Sequence, residues 1–244
     1  MKSIIRIFLL LFTICLAGFS QKWEAGVGVG LMNYKGDLSP NYKPLDGRPA
    51  TNVFVKINKD RAISYRFGAD AGRIIGSDMR FADRFQKLRG YSFKANIFDA
   101  NARIEYNFLN FRVSQARNQS NWTPYAYLGL GATYRQMVDF KANVVVNPIP
   151  ATYDSGKNLS ISMPYGVGFK KKWKGPWNFG AEFGSYKMMS LSKKFLSYDY
   201  LDGLGPEVAD VSNRLQTTNK DLGDWYFYTN FYISYVFYKI ACPK

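Results

Sequence analysis

From Trp225 to Tyr238 the chain alternates at period two. Trp225, Phe227, Thr229, Phe231, Ile233, Tyr235 and Phe237 share one face, and Tyr226, Tyr228, Asn230, Tyr232, Ser234, Val236 and Tyr238 share the other. Such alternation predicts a strand with one apolar face and one hydroxyl-rich face. Seven earlier stretches repeat it, near residues 23–31, 53–57, 63–72, 98–107, 126–135, 159–170 and 177–184. The run at 53–57 is the shortest and least regular. Eight strands separated by turns and loops predict an all-β fold.

The polar faces of these strands are unusual. They are rich in glycine, and their charges nearly cancel: Glu24, Asp70, Asp99, Glu105 and Glu182 stand against Arg66, Arg103, Arg135, Lys170 and Lys56. A sheet facing water would scatter charges at random. Small residues and balanced charges suit a narrow lumen filled by side chains, and an eight-stranded barrel encloses about that interior. The apolar faces carry no charge in the seven regular strands, as hydrocarbon requires, since a cation at mid-bilayer costs roughly 2–4 kcal/mol. The pattern therefore predicts an eight-stranded antiparallel transmembrane β-barrel.

Connection lengths fit a barrel with both termini on the periplasmic side. Connections two and six, at 58–62 and 174–176, are short, whereas the odd connections are long and 190–223 is the longest. Connection four, at 109–122, is long for a periplasmic turn. Residues 1–20 read as a secretory signal peptide: Lys2 and Arg6 precede an apolar run from Ile7 to Leu16, and Gly18 and Ser20 are small at the positions a signal peptidase reads. That run is too short to span a bilayer as a helix. Ile14 is large and branched where a lipoprotein signal has a small residue before its cysteine. The barrel is expected over residues 21–244, in the outer membrane.

The 244 residues contain no histidine, which removes the usual neutral-pH base and every histidine-dependent triad or zinc site. No cofactor, metal or catalytic residue is expected. Export leaves Cys242 as the only cysteine, which excludes an internal disulfide and leaves intermolecular pairing or a free thiol. GVGVG at residues 26–30 superficially matches a phosphate loop, but it lies inside a strand with no helix after it, so its glycines thin the lumen wall. NYKGDLSP at 33–40 reads as a structured turn. Asp199 and Asp202 in SYDYLDGLGPE read as solvated loop carboxylates.

The formal charge is +15, and its placement is informative. Lys22, Lys59, Arg61, Arg112, Arg117, Lys171, Lys172, Lys174, Lys239 and Lys244 all fall on the expected periplasmic rim, where Asp60 is the only acid. Two readings follow: contact with lipid headgroups, or attraction of an acidic periplasmic partner. Export and barrel architecture argue against nucleic acid.

Several stretches together resemble the PorG family of the type IX secretion system. They are NYKGDLSP, LRGYSFKANIFDANARIEYNFL at 88–109, TPYAYLGLGA from Thr123, PYGVGF from Pro164, YDYLDG from Tyr198 and the CP tail. The resemblance implies a non-enzymatic outer-membrane subunit that docks the machine's periplasmic ring, a lipoprotein with a soluble partner. On that reading Lys171, Lys172, Lys174, Arg112 and Arg117 face the partner, and Cys242 forms a mixed disulfide with the lipoprotein. The competing class is a small surface barrel of the OmpX or OmpA type, acting as an adhesin or ligand-binding protein through its outer loops. A porin is disfavoured by the ten mixed charges expected to fill the lumen.

Overall fold

The structure is a computed structural model that describes residues 23–36, 39, 46–77, 92–111, 120–141, 159–189 and 225–237. Eight strands form one closed antiparallel barrel in sequence order. They are β1 (Trp23–Lys35), β2 (Arg48–Asn58), β3 (Ile63–Ser77), β4 (Ser92–Asn107), β5 (Trp122–Lys141), β6 (Leu159–Lys172), β7 (Trp177–Met188) and β8 (Trp225–Phe237). Closure is made by β1 and β8, whose register runs from Trp23↔Phe237 to Lys35↔Trp225. That pairing removes the free sheet edge that hydrocarbon cannot satisfy.

The barrel is inside-out relative to a water-soluble one. Val29, Leu130, Ile161 and Phe231 point outward and are 65%, 61%, 60% and 62% exposed. Charged side chains occupy the interior instead. Rings collect at both ends of the apolar belt. At one end, Trp122 stacks on Phe169 at 5.5 Å and Trp177 meets Tyr235 edge-on at 5.0 Å. At the other, Phe183 stacks on Phe227 at 5.8 Å and Tyr165 meets Trp225 at 6.2 Å. An apolar wall between two aromatic girdles is the exterior of a membrane-spanning barrel.

The end carrying Trp23 and Phe237, where connections two, four and six cross, is called the turn end; the other is the loop end. Asp60 organises the β2–β3 turn by accepting the amides of Ala62 and Ile63 on Oδ1, each at 2.8 Å. The β6–β7 turn needs Gly175, whose φ of +58° is strained for residues with a Cβ. Connection four is not short: it runs from β4 to β5 by way of Phe111, which pairs with Ser120 as an isolated bridge.

The strands are longer at the loop end than the alternation predicts. β3 continues to Ser77, β4 begins at Ser92 and β5 reaches Lys141, with a register shift at Lys94/Ala95. There the sidedness inverts. Met32, Tyr34, Ile74, Phe93, Ala95, Ile97, Tyr186, Met188, Tyr226 and Tyr228 form a buried apolar cluster inside the barrel. Outside, Arg73 Nε donates to Asn96 Oδ1 at 3.0 Å, and Lys94 lies 3.8 Å from Asp139. An apolar interior with a polar exterior belongs in water, so β3, β4 and β5 continue beyond the hydrocarbon.

Candidate functional site

Two features carry charge in an organised way: the lumen and the turn-end rim. Every strand contributes to the lumen through its inward face. Glu24, Lys56, Arg66, Asp70, Asp99, Arg103, Glu105, Arg135, Lys170 and Glu182 are all buried there, and they are the only buried charged residues among those described. Five are formal cations and five formal anions.

Their contacts run across the barrel rather than only between neighbouring strands. Arg66 Nη1 on β3 donates to Glu182 Oε2 on β7 at 2.8 Å, and its Nη2 donates to Asn52 Oδ1 at 2.9 Å. Glu182 also accepts from the Tyr125 hydroxyl and Asn230 Nδ2, both at 2.9 Å. Arg103 Nη2 donates to Asp70 Oδ2 at 2.8 Å and its Nε to Asn101 Oδ1 at 2.6 Å. Arg103 further meets the Tyr186 hydroxyl, which donates to Asp70 at 2.6 Å. Asp99 accepts from Asn101, Thr133 and Ser162 at 2.6, 2.5 and 2.7 Å.

Toward the turn end a second group forms around Glu105. Its Oε2 lies 2.9 Å from Lys56 Nζ and 3.3 Å from Lys170 Nζ, and its Oε1 lies 3.6 Å from Arg66 Nη1. Glu24 lies 3.9 Å from Lys56 and accepts from Ser234 at 2.5 Å. Phe111 turns back from connection four with its ring centroid 5.4 Å from Lys170 Nζ, and it is buried. Arg135 is buried and engaged as well.

Alternation along the strands places these charges, but the tyrosines that join them were assigned no role from sequence. Tyr125, Tyr127, Tyr186, Tyr226, Tyr228 and Tyr232 are all buried inside. In β8 the odd-numbered rings face outward, while Tyr226, Tyr228 and Tyr232, on the hydroxyl-rich face, fill the lumen. The readable signal was strand parity together with glycine on facing strands. A Cβ at Gly168 would fall 2.4 Å from Tyr125 Cζ, and one at Gly26, within GVGVG, 2.4 Å from Phe54 Cζ. These glycines thin the wall where rings lie against it.

The turn-end rim has a different character. Lys171 points outward at the end of β6, Lys172 is half-buried and donates its backbone N–H to Asn121 O at 2.7 Å, and Lys174 is exposed in the β6–β7 turn. Lys59 and Arg61 flank Asp60 in the β2–β3 turn. Asp60 is exposed, and the Ile63 and Ala62 amides that bind its carboxyl hold it below the usual aspartate range. Arg112, Arg117, Cys242, Lys22, Lys239 and Lys244 lie outside the described residues, as do the signal segment 1–20 and the loop at 190–223.

A family model described as a domain of unknown function (DUF6089) matches residues 2–243. The chain belongs to this family. No curated protein matches the DUF6089 chain in sequence. Among solved structures it is similar to Neisserial surface protein A, with a TM-score of 0.50, 8% identity, and coverage of 88% of this chain and 97% of that one. It also matches Ail, the attachment invasion locus protein of Yersinia pestis, in complex with a heparin analogue, at a TM-score of 0.45, 10% identity, and coverage of 88% and 98%. A third match is the outer membrane enzyme PagL, at a TM-score of 0.35, 12% identity, and coverage of 86% and 97%. The first of these likenesses shows the eight-stranded barrel fold.

Proposed function

We propose that this DUF6089 barrel is a structural outer-membrane subunit of the type IX protein secretion machine. Its turn end faces the periplasm and docks the machine's ring, a lipoprotein with a soluble partner. The observation that carries the reading is the charge of that end. Lys59, Arg61, Lys171, Lys172 and Lys174 crowd it, and the single acid beside them, Asp60, is occupied by two backbone amides. Such a surface steers and orients an acidic partner. The sequence stretches that resemble the PorG family supply the identity of that partner. A histidine-free chain and a lumen packed with paired charges support a role without catalysis.

Replacing Lys171, Lys172 and Lys174 together with Glu tests this. The residues sit at a strand end and in a turn, so the barrel should fold while co-purification of the ring and cargo secretion fall. A triple variant that assembles and secretes normally reduces the cluster to a headgroup contact. On this proposal Cys242 forms a mixed disulfide with the ring lipoprotein. Non-reducing electrophoresis of thiol-blocked membranes should show a heavier, reducible band that is absent from Cys242→Ser. A monomer whose Cys242 is fully labelled by the blocking agent rejects the clamp.

A further inference from the structure

The loop end of the apolar belt carries an arrangement that neither the lumen nor the turn-end rim uses. On the outward face, Lys35 of β1 pairs in register with Trp225 of β8, and Trp225 pairs with Lys187 of β7. One indole is therefore flanked by a lysine on either side. The two lysine Cα atoms are two strand spacings apart, roughly 10 Å, and their side chains are long enough to converge over the ring. Lys187 Nζ already lies 5.5 Å from the Trp225 centroid. Tyr165 meets the same indole at 6.2 Å from the β6 side and holds it edge-on.

The height of this group on the barrel gives it meaning. Below Trp225, β8 shows hydrocarbon only uncharged outward residues: Phe227, Thr229, Phe231, Ile233, Tyr235 and Phe237. The 13 residues of β8, rising about 3.3 Å each and tilted about 45°, span roughly 28 Å. That matches the apolar band of about 25 Å, so Trp225 sits at the far interface and the two lysines at headgroup depth. No carboxylate faces outward on β6, β7, β8, β1 or β2 among the described residues. Among the described strand residues, Lys35 and Lys187 thus share that wall with no acid. Ser185, two residues before Lys187 on the same face, is 5% exposed and its hydroxyl has no hydrogen-bond partner.

We propose that Lys35, Trp225 and Lys187 form a binding site for a phosphate-bearing lipid headgroup in the leaflet at the loop end. The ammonium groups bind the phosphate oxygens from two sides, and the indole and Tyr165 pack on the first atoms of the lipid below it. Simple snorkelling would need cations that reach any polar layer. This site has one cation against the ring and a second paired in register with it on the other side, which favours a single anion between them. The proposal requires only that the barrel be membrane-embedded and is independent of the secretion reading.

The test uses the full barrel purified in neutral detergent and native mass spectrometry with two probes: phosphatidic acid and monophosphorylated lipid A. Each is compared with its dephosphorylated counterpart. The wild type should retain at least one phosphorylated lipid and neither dephosphorylated form, and the tighter binder identifies whether a glycerolipid or a glucosamine lipid is the source. Lys35→Ala with Lys187→Ala should weaken retention about thirtyfold, the factor expected for losing two interfacial lysines. Lys35→Arg with Lys187→Arg should restore it. Equal retention of the dephosphorylated lipids, or unchanged binding by a folded double alanine variant, overturns the site. The wild-type comparison decides by itself if the alanine variant fails to fold.

Discussion

Asp60 is fully exposed, yet its carboxyl is committed to the backbone. One oxygen accepts two amides at 2.8 Å and fixes the four-residue turn between β2 and β3. The amides of Ile63 and Ala62 favour the ionised form, so the carboxyl titrates below its ordinary value of 3.8. The sign follows from that depression: the turn is fully braced above the unfolded value and loses its brace as pH falls through the lower folded value. The Ala62 and Ile63 amide resonances should therefore report a titration midpoint below that of a free aspartate, and Asp60→Ala should abolish it. A midpoint at or above 3.8 rejects the brace. Sequence marked Asp60 as the only acid of a basic rim. It did not show that the acid is internally satisfied, because an aspartate that binds the following amides and one that faces solvent look alike in a turn.

Between elements, the lumen network replaces the apolar core of an ordinary barrel. Arg66 and Glu182 lie on β3 and β7, which are not neighbours in the sheet, so their 2.8 Å contact ties opposite walls together. Truncating one partner of such a pair leaves a charge buried without compensation, at a cost of about 3–5 kcal/mol. Glu182→Ala should lose that much in a urea titration of the barrel folded into vesicles. Arg66→Met combined with Glu182→Leu should lose much less than the sum of the single changes. Additivity within about 0.5 kcal/mol would show that the walls are not coupled through this pair. The strands and their inward charges were legible because parity is constant through the hydrocarbon. In FKANIFDA, at 93–100, the parity holds but the polarity changes sides: the inward Phe93, Ala95 and Ile97 are apolar beside the outward Lys94 and Asn96, whereas from Phe98 onward the apolar residues point out. The switch falls where β4 leaves the membrane, so the loop-end extensions and their apolar cluster were invisible to a rule that assumes one apolar side. The hydroxyl-rich face of β8 already places Tyr226, Tyr228 and Tyr232 inside, but the partners of the lumen tyrosines are not legible, since they come from strands that only the closed barrel brings together.

For the whole molecule, the lumen contributes five formal cations and five formal anions, so the chain's formal +15 belongs entirely to its ends, loops and terminal segments. Charge is thus divided into a neutral buried set that braces and an exposed basic set that attracts. The loop-end apolar cluster, which includes Tyr226 and Ile74, packs the interior on the loop side of the network. Salt separates the two sets of charges. The screening length falls from about 10 Å at 0.1 M to about 3 Å at 1 M, which weakens exposed charges and leaves buried pairs nearly untouched. Across that range the urea midpoint of the vesicle-embedded barrel should shift little, because its ion pairs lie behind the wall. If the turn end docks an acidic ring partner as proposed, their association should weaken at least tenfold over the same range, measured by co-sedimentation of proteoliposomes with the purified partner. A barrel that loses stability in step with partner binding would mean that the lumen charges see solvent. Partner binding that ignores salt would mean that Lys171, Lys172 and Lys174 do not attract it, and the docking surface would have to be sought in the apolar or covalent contacts of the same end.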